Sequence, residues 1–276
     1  MLTPEYLLQF LREDAPSGDV TSDTIIPDIS CRAVIRAEQD GIIAGLEEAT
    51  ALFSHFGATV TMHVRDGEHV MSGMTLLSVD GKAKTILLVE RTALNIIGRM
   101  SGIATQTRKM VDIIAAANPG CRVAGTRKTS PGCRALDKKA VLIGGGDPHR
   151  SGLSDGILIK DNHLLLVPLP EAIRSAKKAT AYRKVEIEVE TSEDAVKAAC
   201  EGAEILMLDN MTPDQIRETI GALIREGRRD DVTIELSGGI NERNIGMYAN
   251  VGADVISLGA LTHSVRNFPV NLEIVL

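Results

Sequence analysis

Apolar residues recur along this chain in two rhythms, and the change falls near residue 120. In the first part, Leu7, Leu8 and Leu11 lie on one helical face of a segment 3–13. Thr3 stands where an N-cap is expected and Pro4 suits the first helical position. The stretch Ser17 to Ser22 breaks the pattern. From 32 to 80, strand-like runs at 33–37, 59–64 and 75–79 alternate with one helical run at 46–56, and Asp66-Gly67 and Asp80-Gly81 read as turns. A long helical stretch over about 84–117, interrupted near Ser101-Gly102, is expected to carry the chain onward.

Beyond 120 the chain predicts strands at 122–124, 156–159, 184–189, 205–208, 233–236 and 254–257, with helices at 169–180, 192–201, 213–226 and 241–250 between most of them. Short strands alternating with helices imply parallel strands joined by right-handed crossovers. Six or seven such units favour a β/α barrel, with a doubly wound open sheet as the alternative. The domain reading is a first domain over 1–105, joined by the C-terminal tail at about 262–276, and a β/α barrel over 106–261.

Polar groups recur at the ends of the predicted strands. Arg127-Lys128 follows the first, Lys160 the second, Glu190 the third and Asp209 the fourth, while Ser237-Gly238-Gly239 and Gly259 follow the last two. In β/α barrels the C-terminal strand ends form one mouth. Alone, each residue reads equally as a turn or a cap, and Asp209-Asn210 is a candidate cap for the next helix. Together they read as a site.

Charge sharpens that picture. The chain has 276 residues and a net charge of −7, yet basic side chains concentrate in Arg127-Lys128, in His149-Arg150 and in Lys160 with His163. Basic clusters on an acidic background suit a small, highly anionic ligand better than a nucleic acid, which calls for a broad basic face. Aromatic residues at 3% and the absence of Trp also argue against stacking platforms for single strands. The four cysteines, Cys31, Cys121, Cys133 and Cys200, show no CxxC pairing, which predicts neither a zinc site nor a disulfide framework. Met-Leu-Thr-Pro-Glu-Tyr carries no basic and apolar leader pattern, and the apolar runs are too short to cross a bilayer, so a cytoplasmic protein is expected.

Glu190 and Asp209 within a cationic mouth suit a divalent metal or the hydroxyls of a sugar, and Mg²⁺ fits a site with few carboxylates plus ligand phosphates. Ser237-Gly238-Gly239 before a helix fits a phosphate nest. The implied ligands are a phosphorylated sugar with its metal and a second anion. Gly144-Gly145-Gly146 lacks the context of a nucleotide-binding motif and reads as a flexible loop delivering His149-Arg150.

The motifs Gly18-Asp19-Val20-Thr21, Glu90-Arg91-Thr92-Ala93-Leu94-Asn95, Gly125-Thr126-Arg127-Lys128-Thr129, His149-Arg150, Leu158-Ile159-Lys160-Asp161-Asn162-His163, Glu188-Val189-Glu190, Leu208-Asp209-Asn210 and Glu235-Leu236-Ser237-Gly238-Gly239 together resemble the quinolinate phosphoribosyltransferase family over nearly the whole length. The resemblance implies an α/β fold of the type II phosphoribosyltransferase class, an N-terminal α/β sandwich domain plus an incomplete β/α barrel. It implies transfer of the phosphoribosyl group from phosphoribosyl pyrophosphate to quinolinate, with loss of CO2 and Mg²⁺ assisting. The products would be nicotinate mononucleotide and pyrophosphate.

By the same resemblance, Arg127, His149 and Arg150 bind the quinolinate carboxylates, with Arg91 reaching in from a partner subunit of a homodimer or dimer-based hexamer. Lys128 and Lys160 meet substrate and pyrophosphate, Glu190 and Asp209 lie near ribose and metal, and Ser237, Gly238, Gly239 and Gly259 cradle the 5′-phosphate. Lys128, Lys160, Glu190 and Asp209 are the expected catalytic groups. Departures from the family pattern fall at Ser130, Cys133, Asp137-Lys138-Lys139 and Asp147-Pro148. A related pyrophosphorylase-like protein of molybdenum transport and a ligand-sensing barrel without turnover are the rival readings. Retention of Arg91, Arg127, Lys128, His149, Arg150 and Lys160 favours the enzyme.

Overall fold

The structure, a computed structural model, describes residues 3–275. Met1, Leu2 and Leu276, which end the two segments assigned to the first domain, lie outside the described residues. In chain order the elements are α1 (Pro4–Asp14), α2 (Val20–Ile25), β1 (Ser30–Ala37), β2 (Gly41–Ile42), α3 (Leu46–His55), β3 (Thr59–Met62), β4 (His69–Val70), β5 (Thr75–Lys82) and α4 (Ala83–Ala117). They continue with β6 (Arg122–Ala124), α5 (Arg134–Ile143), β7 (Ile157–Ile159), α6 (Asp161–Leu164), α7 (Leu169–Ala179), β8 (Val185–Val189), α8 (Ser192–Cys200), β9 (Ile205–Asp209) and α9 (Pro213–Arg225). The last are β10 (Thr233–Ser237), α10 (Ile245–Tyr248), β11 (Val255–Ser257), α11 (Ala260–His263) and β12 (Val270–Val275).

Two compact units divide the chain. One takes Met1–Arg108, Pro131–Gly145 and Val265–Leu276, and the other takes Lys109–Ser130 and Gly146–Ser264. Residues 131–145, placed in the barrel from sequence, thus belong to the first unit. There Asp137 of α5 is fully buried and forms a bidentate pair with Arg99 of α4, at 2.7 and 2.9 Å.

The first unit is built on an antiparallel sheet in the order β12-β1-β5-β3, with a short β2-β4 ribbon beside it. Ala33, Ile35, Leu76, Leu77 and Val79 are fully buried on β1 and β5, and Leu52 and Phe53 of α3 join them in the core. Thr3 caps α1 as the sequence predicts, its hydroxyl accepting from the Tyr6 amide.

Three sequence expectations fail here for packing reasons. The helix α4 runs unbroken through Ser101-Gly102. Ser101 Oγ is buried and exchanges hydrogen bonds with the amide and carbonyl of Ala44, while a Cβ at Gly102 would collide with the Arg266 carbonyl. These residues are small to admit neighbours, not to end a helix. Gly81 likewise lies inside β5, where a Cβ would meet Ala58 Cβ at 3.0 Å. The stretch from Ser17 contains α2, which Asp19 caps through the amides of Thr21 and Ser22.

The second unit is a parallel sheet in the order β6-β11-β10-β9-β8-β7. Consecutive strands pair from β7 to β11, and β6 closes onto β11 and not onto β7, its neighbour in sequence. A single parallel bridge from Ala124 to Asp147 lies on the other side of β6. This is a curled, incomplete β/α barrel, the fold expected. Ile187, Leu206, Leu208, Ile234, Leu236 and Ile256 are essentially inaccessible, as befits strands covered on both faces. The helix expected at 241–250 shrinks to α10, with Asn241 and Asn244 hydrogen-bonding the loop before it.

Candidate active site

Because every strand of the barrel is parallel, its C-terminal ends share one side. Arg127 and Lys128 follow β6, Lys160 follows β7, Glu190 follows β8, and Gly259 follows β11. Asp209 and Ser237 are the last residues of β9 and β10. These residues, with Gly238 and Gly239 after Ser237, therefore ring one mouth, and the loop before β7 brings His149 to Glu186 and Glu235 of the barrel strands. Arg91 is exposed on α4 in the first unit.

The strand register sorts the inward-facing side chains into layers, since laterally paired residues in a sheet share a face. Glu186 pairs with Ile205, and Ile205 with Thr233. One step outward, Glu188 pairs with Met207 and Met207 with Glu235. At the rim, Asp209 pairs with Ser237.

Each rim group has a local reason for its place. Lys160 forms an ion pair with Glu188, and its amide donates to His163 Nδ1 at 2.9 Å, at the start of α6. Lys128 is exposed, and its carbonyl accepts from Thr262 Oγ1 at 2.9 Å. A Cβ on Gly259 would sit 2.9 Å from Lys128 Cδ, so the missing side chain leaves that lysine its path. Burial raises the Asp209 carboxyl above the ordinary carboxylate range, with Glu188 and Glu190 pushing the same way and Lys160 and the Ser237 hydroxyl opposing. Carboxylates that crowd one another in this way form a hard-oxygen donor set of the kind a divalent cation relieves.

Asp209-Asn210 does not cap the following helix. Thr212 does, in a reciprocal capping box with Gln215. Asn210 instead takes the left-handed conformation, φ 55°, and sits against Gly238, where a Cβ would collide with its backbone and side chain. Gly238 and Gly239 both have positive φ, 92° and 62°. The two strand-end loops thus fit together only because residue 238 lacks a side chain.

Among the described residues, His149 is the other non-glycine residue with positive φ, 56°. Such a residue is costly and persists only where its surroundings impose it. Asp147 does so: its carboxylate accepts from the His149 amide at 2.7 Å, while its backbone is held by Val123 and Gly125. The Asp147-Pro148 departure therefore supports the presentation of His149. Gly144-Gly145 is no free loop: it closes α5, and a Cβ on Gly144 would press on the Ala104 carbonyl.

Inside the mouth, like charges meet. Burial and the neighbouring Arg127 pull the proton affinity of Arg150 down, while Glu186 and Glu235 push it up. Arg127 Nε is buried with no hydrogen-bond partner. His149 Nε2 lies 3.2 Å from Glu235 Oε2 and 4.0 Å from Glu186 Oε1. Sequence reasoning missed Glu186, Glu188 and Glu235. The signal was present: Glu186, Glu188 and Glu190 alternate at spacing two along one strand, and Glu235 precedes Ser237 by two, which puts each set on one face.

Comparison with known proteins agrees with this geometry. The model of the quinolinate phosphoribosyl transferase N-terminal domain matches residues 19–101, and that of the C-terminal domain matches residues 103–273. The chain is 42% identical to a probable nicotinate-nucleotide pyrophosphorylase [carboxylating] of Methanothermobacter thermautotrophicus, over 98% of both chains. It is 37% identical to the probable nicotinate-nucleotide pyrophosphorylase [carboxylating] of Bacillus subtilis, over 98% of this chain and 92% of that one. Among solved structures, the nicotinate-nucleotide pyrophosphorylase of Ehrlichia chaffeensis superposes with a TM-score of 0.93 at 30% identity, over 99% of each chain. The chain belongs to the quinolinate phosphoribosyl transferase family.

Proposed function

We propose that this protein transfers the phosphoribosyl group of phosphoribosyl pyrophosphate to the ring nitrogen of quinolinate, with decarboxylation, giving nicotinate mononucleotide, CO2 and pyrophosphate for NAD biosynthesis. The observation that carries this reading is the crowding of Arg127, Arg150 and His149 in a half-buried mouth, with Arg127 Nε left unpartnered. Two guanidinium groups crowded against each other, one with a buried donor unpartnered among the described residues, suit a ligand with two carboxylates. The pyridine nitrogen is itself a nucleophile, so the chemistry asks for positioning and charge screening, not for a general base. Once ribosylated, the ring is positively charged and stabilises the electron pair left behind by the departing carboxylate.

Arg127, His149 and Arg150 are assigned to the acid's carboxylates. Lys128 and Lys160 are assigned to substrate and pyrophosphate, and Glu190 and Asp209 to the ribose. The 5′-phosphate is assigned to Ser237, Gly238, Gly239 and Gly259, where glycines let the backbone approach an anion. Glu190 and Asp209 also fit Mg²⁺, which would screen the pyrophosphate charge. The reaction is assigned to the cytoplasm, which suits the four free cysteines. No helix among the described residues is long and apolar enough to cross a membrane.

Arg91 is assigned to the mouth of a neighbouring subunit in a homodimer or a dimer-based hexamer, because two-fold symmetry delivers such a group twice. Mixing inactive Arg91→Ala and Lys128→Ala subunits should then recover about one quarter of wild-type activity at random exchange. No recovery despite demonstrated exchange would remove Arg91 from the partner's site.

The function itself is tested by supplying quinolinate or nicotinate with phosphoribosyl pyrophosphate and Mg²⁺. Quinolinate should be consumed and nicotinate mononucleotide appear, with little turnover of nicotinate, because a site built for a second carboxylate is left with unpaired charge by the analogue. Equal turnover of the two acids would overturn the reading.

A further inference from the structure

Behind the mouth, the barrel interior holds two carboxyl groups that the assignments above do not use. Glu186 on β8 and Glu235 on β10 are 5% and 3% exposed, and they occupy successive layers on non-adjacent strands. Glu186 Oε1 and Glu235 Oε1 have no hydrogen-bond partner among the described residues. Burying two such acids is costly unless something nearby uses their charge.

The groups that face them are few. His149 Nε2 lies within reach of both, at 3.2 Å from Glu235 and 4.0 Å from Glu186. Arg150, from the same loop, is near enough to feel the charge of both carboxyls. Lys160, at the end of β7, lies near Glu186 and is itself paired with Glu188. Three ligand atoms of His149, Glu186 and Glu235 within 4.8 Å of one another invite a metal ion. The positive charge of Arg150 nearby opposes a cation at that place.

We propose that Glu186 and Glu235 are positioning residues for recognition of the acid substrate: Glu235 holds the His149 ring from behind so that it presents its donor to the incoming dicarboxylate, and Glu186, one layer deeper, sets how much negative charge the cations face. The proposal rests on the assignment of His149 and Arg150 to that substrate. A carboxylate acceptor at Nε2 requires that Nε2 carry the proton, which fixes the tautomer and the ring plane. Negative charge behind the ring also favours its doubly protonated form, the form able to donate from its other nitrogen. The two acids do unequal work. Glu235 makes the hydrogen bond, whereas Glu186 lies one layer deeper and sets the charge of the pair. Burial, and then the charge of Glu235, push the Glu186 carboxyl up to about 7, with His149, Arg150 and Lys160 opposing. A neutral Glu186 leaves the cations free for a dianionic ligand, whereas a charged Glu186 competes for them.

The test is steady-state kinetics on the full-length protein, varying each substrate from about pH 6 to about pH 8.5, around the titration of Glu186. Glu235→Gln should raise the KM for quinolinate roughly tenfold while leaving that for phosphoribosyl pyrophosphate within about twofold, and Glu235→Asp should recover part of the loss. In the wild type the quinolinate KM should rise above about pH 7, and Glu186→Gln should flatten that rise. Equal changes in both KM values, or an unaltered pH profile in Glu186→Gln, would overturn the proposal. So would inhibition by zinc that is relieved in Glu235→Gln, because the cluster would then be a metal site.

A readout independent of turnover separates this idea from the assignment of substrate. Nitrogen NMR of the His149 ring in the unliganded protein should show a protonated Nε2 that changes in Glu235→Gln. An unchanged ring would sink the positioning role even if quinolinate is the substrate. A changed ring in a protein that ignores quinolinate would instead overturn the functional assignment. Should Glu235→Gln fail to fold by circular dichroism, the pH profile and ring signals of Glu186→Gln decide the matter alone.

Discussion

The two units differ in how their densest charge clusters are composed. In the first unit, the best-shielded clusters bring opposite charges together, although Glu48 Oε2 and Asp66 Oδ2 stay buried without a hydrogen-bond partner among the described residues. Arg99 grips Asp137 in a bidentate pair, and Lys139 reaches Glu47 and Glu48 at 2.7 Å each. In the barrel, charges of the same sign are set side by side: Arg127 and Arg150 repel each other, and Glu186 and Glu235 repel each other. Pairing of the first kind preserves a fold. Crowding of the second kind costs stability and is maintained for something that arrives from outside. Even the departures from the family pattern divide this way. Asp137 and Lys139 complete ion pairs of the first unit, whereas Asp147-Pro148 holds His149 in its strained conformation.

Four tests by substitution sharpen or break that contrast, beginning with the largest expected effect. Arg99→Ala strands the fully buried Asp137 without its counter-ion and should cost about 3–5 kcal/mol of stability, seen as a lowered midpoint in calorimetry. A loss below about 1 kcal/mol would show that the first unit's pairs are as dispensable as surface ones.

Lys128→Ala and Lys160→Ala should each lower kcat/KM by roughly 10²–10³-fold, the scale of one donor removed from a charge-stabilising site, with circular dichroism unchanged. If either variant turned over substrate near the wild-type rate, that lysine would have no part in the chemistry, and the contrast would weaken with it.

Gly238→Ala comes third. It combines a positive φ of 92° with a Cβ that collides with Asn210, so a cost on the order of 1–3 kcal/mol and weaker binding of phosphoribosyl pyrophosphate are expected. Gly239→Ala meets open space and should cost only about 1–2 kcal/mol through its φ of 62°. Equal melting curves for the two variants would mean that the fit of the two loops is not what selects glycine at 238.

The smallest effect is a pH dependence of stability. Glu186 holds its proton more tightly in the fold, up to about 7, than in an unfolded chain, where the ordinary value is 4.5. The folded state therefore binds the extra proton between those values. The contribution is fully present below the ordinary glutamate range and is lost as pH rises through about 7. Glu186→Gln should remove that loss, so its melting midpoint should gain on the wild type by a few degrees between about pH 5 and about pH 8. Parallel midpoints across that range would place the proton elsewhere.

The sequence alone determined the rhythm of the barrel and the position of its rim groups. Parallel strands with helical crossovers have one C-terminal end each, so a residue just after a strand is placed at the mouth by local pattern alone. Arg127, Lys128, Lys160, Glu190, Asp209, Ser237 and Gly259 were legible for that reason. What the tertiary structure decided was whatever depended on a distant neighbour. Gly102, Gly81 and Gly144 look like breaks in the chain, yet each is small because another segment passes close by. Residues 131–145 join the first unit through a pair between Asp137 and Arg99 that no local pattern records. Glu186 and Glu235 lie 49 positions apart, and only strand register brings both to His149. Periodicity reports which way a side chain points. What it meets there depends on strands far away in sequence, and only the folded chain sets that.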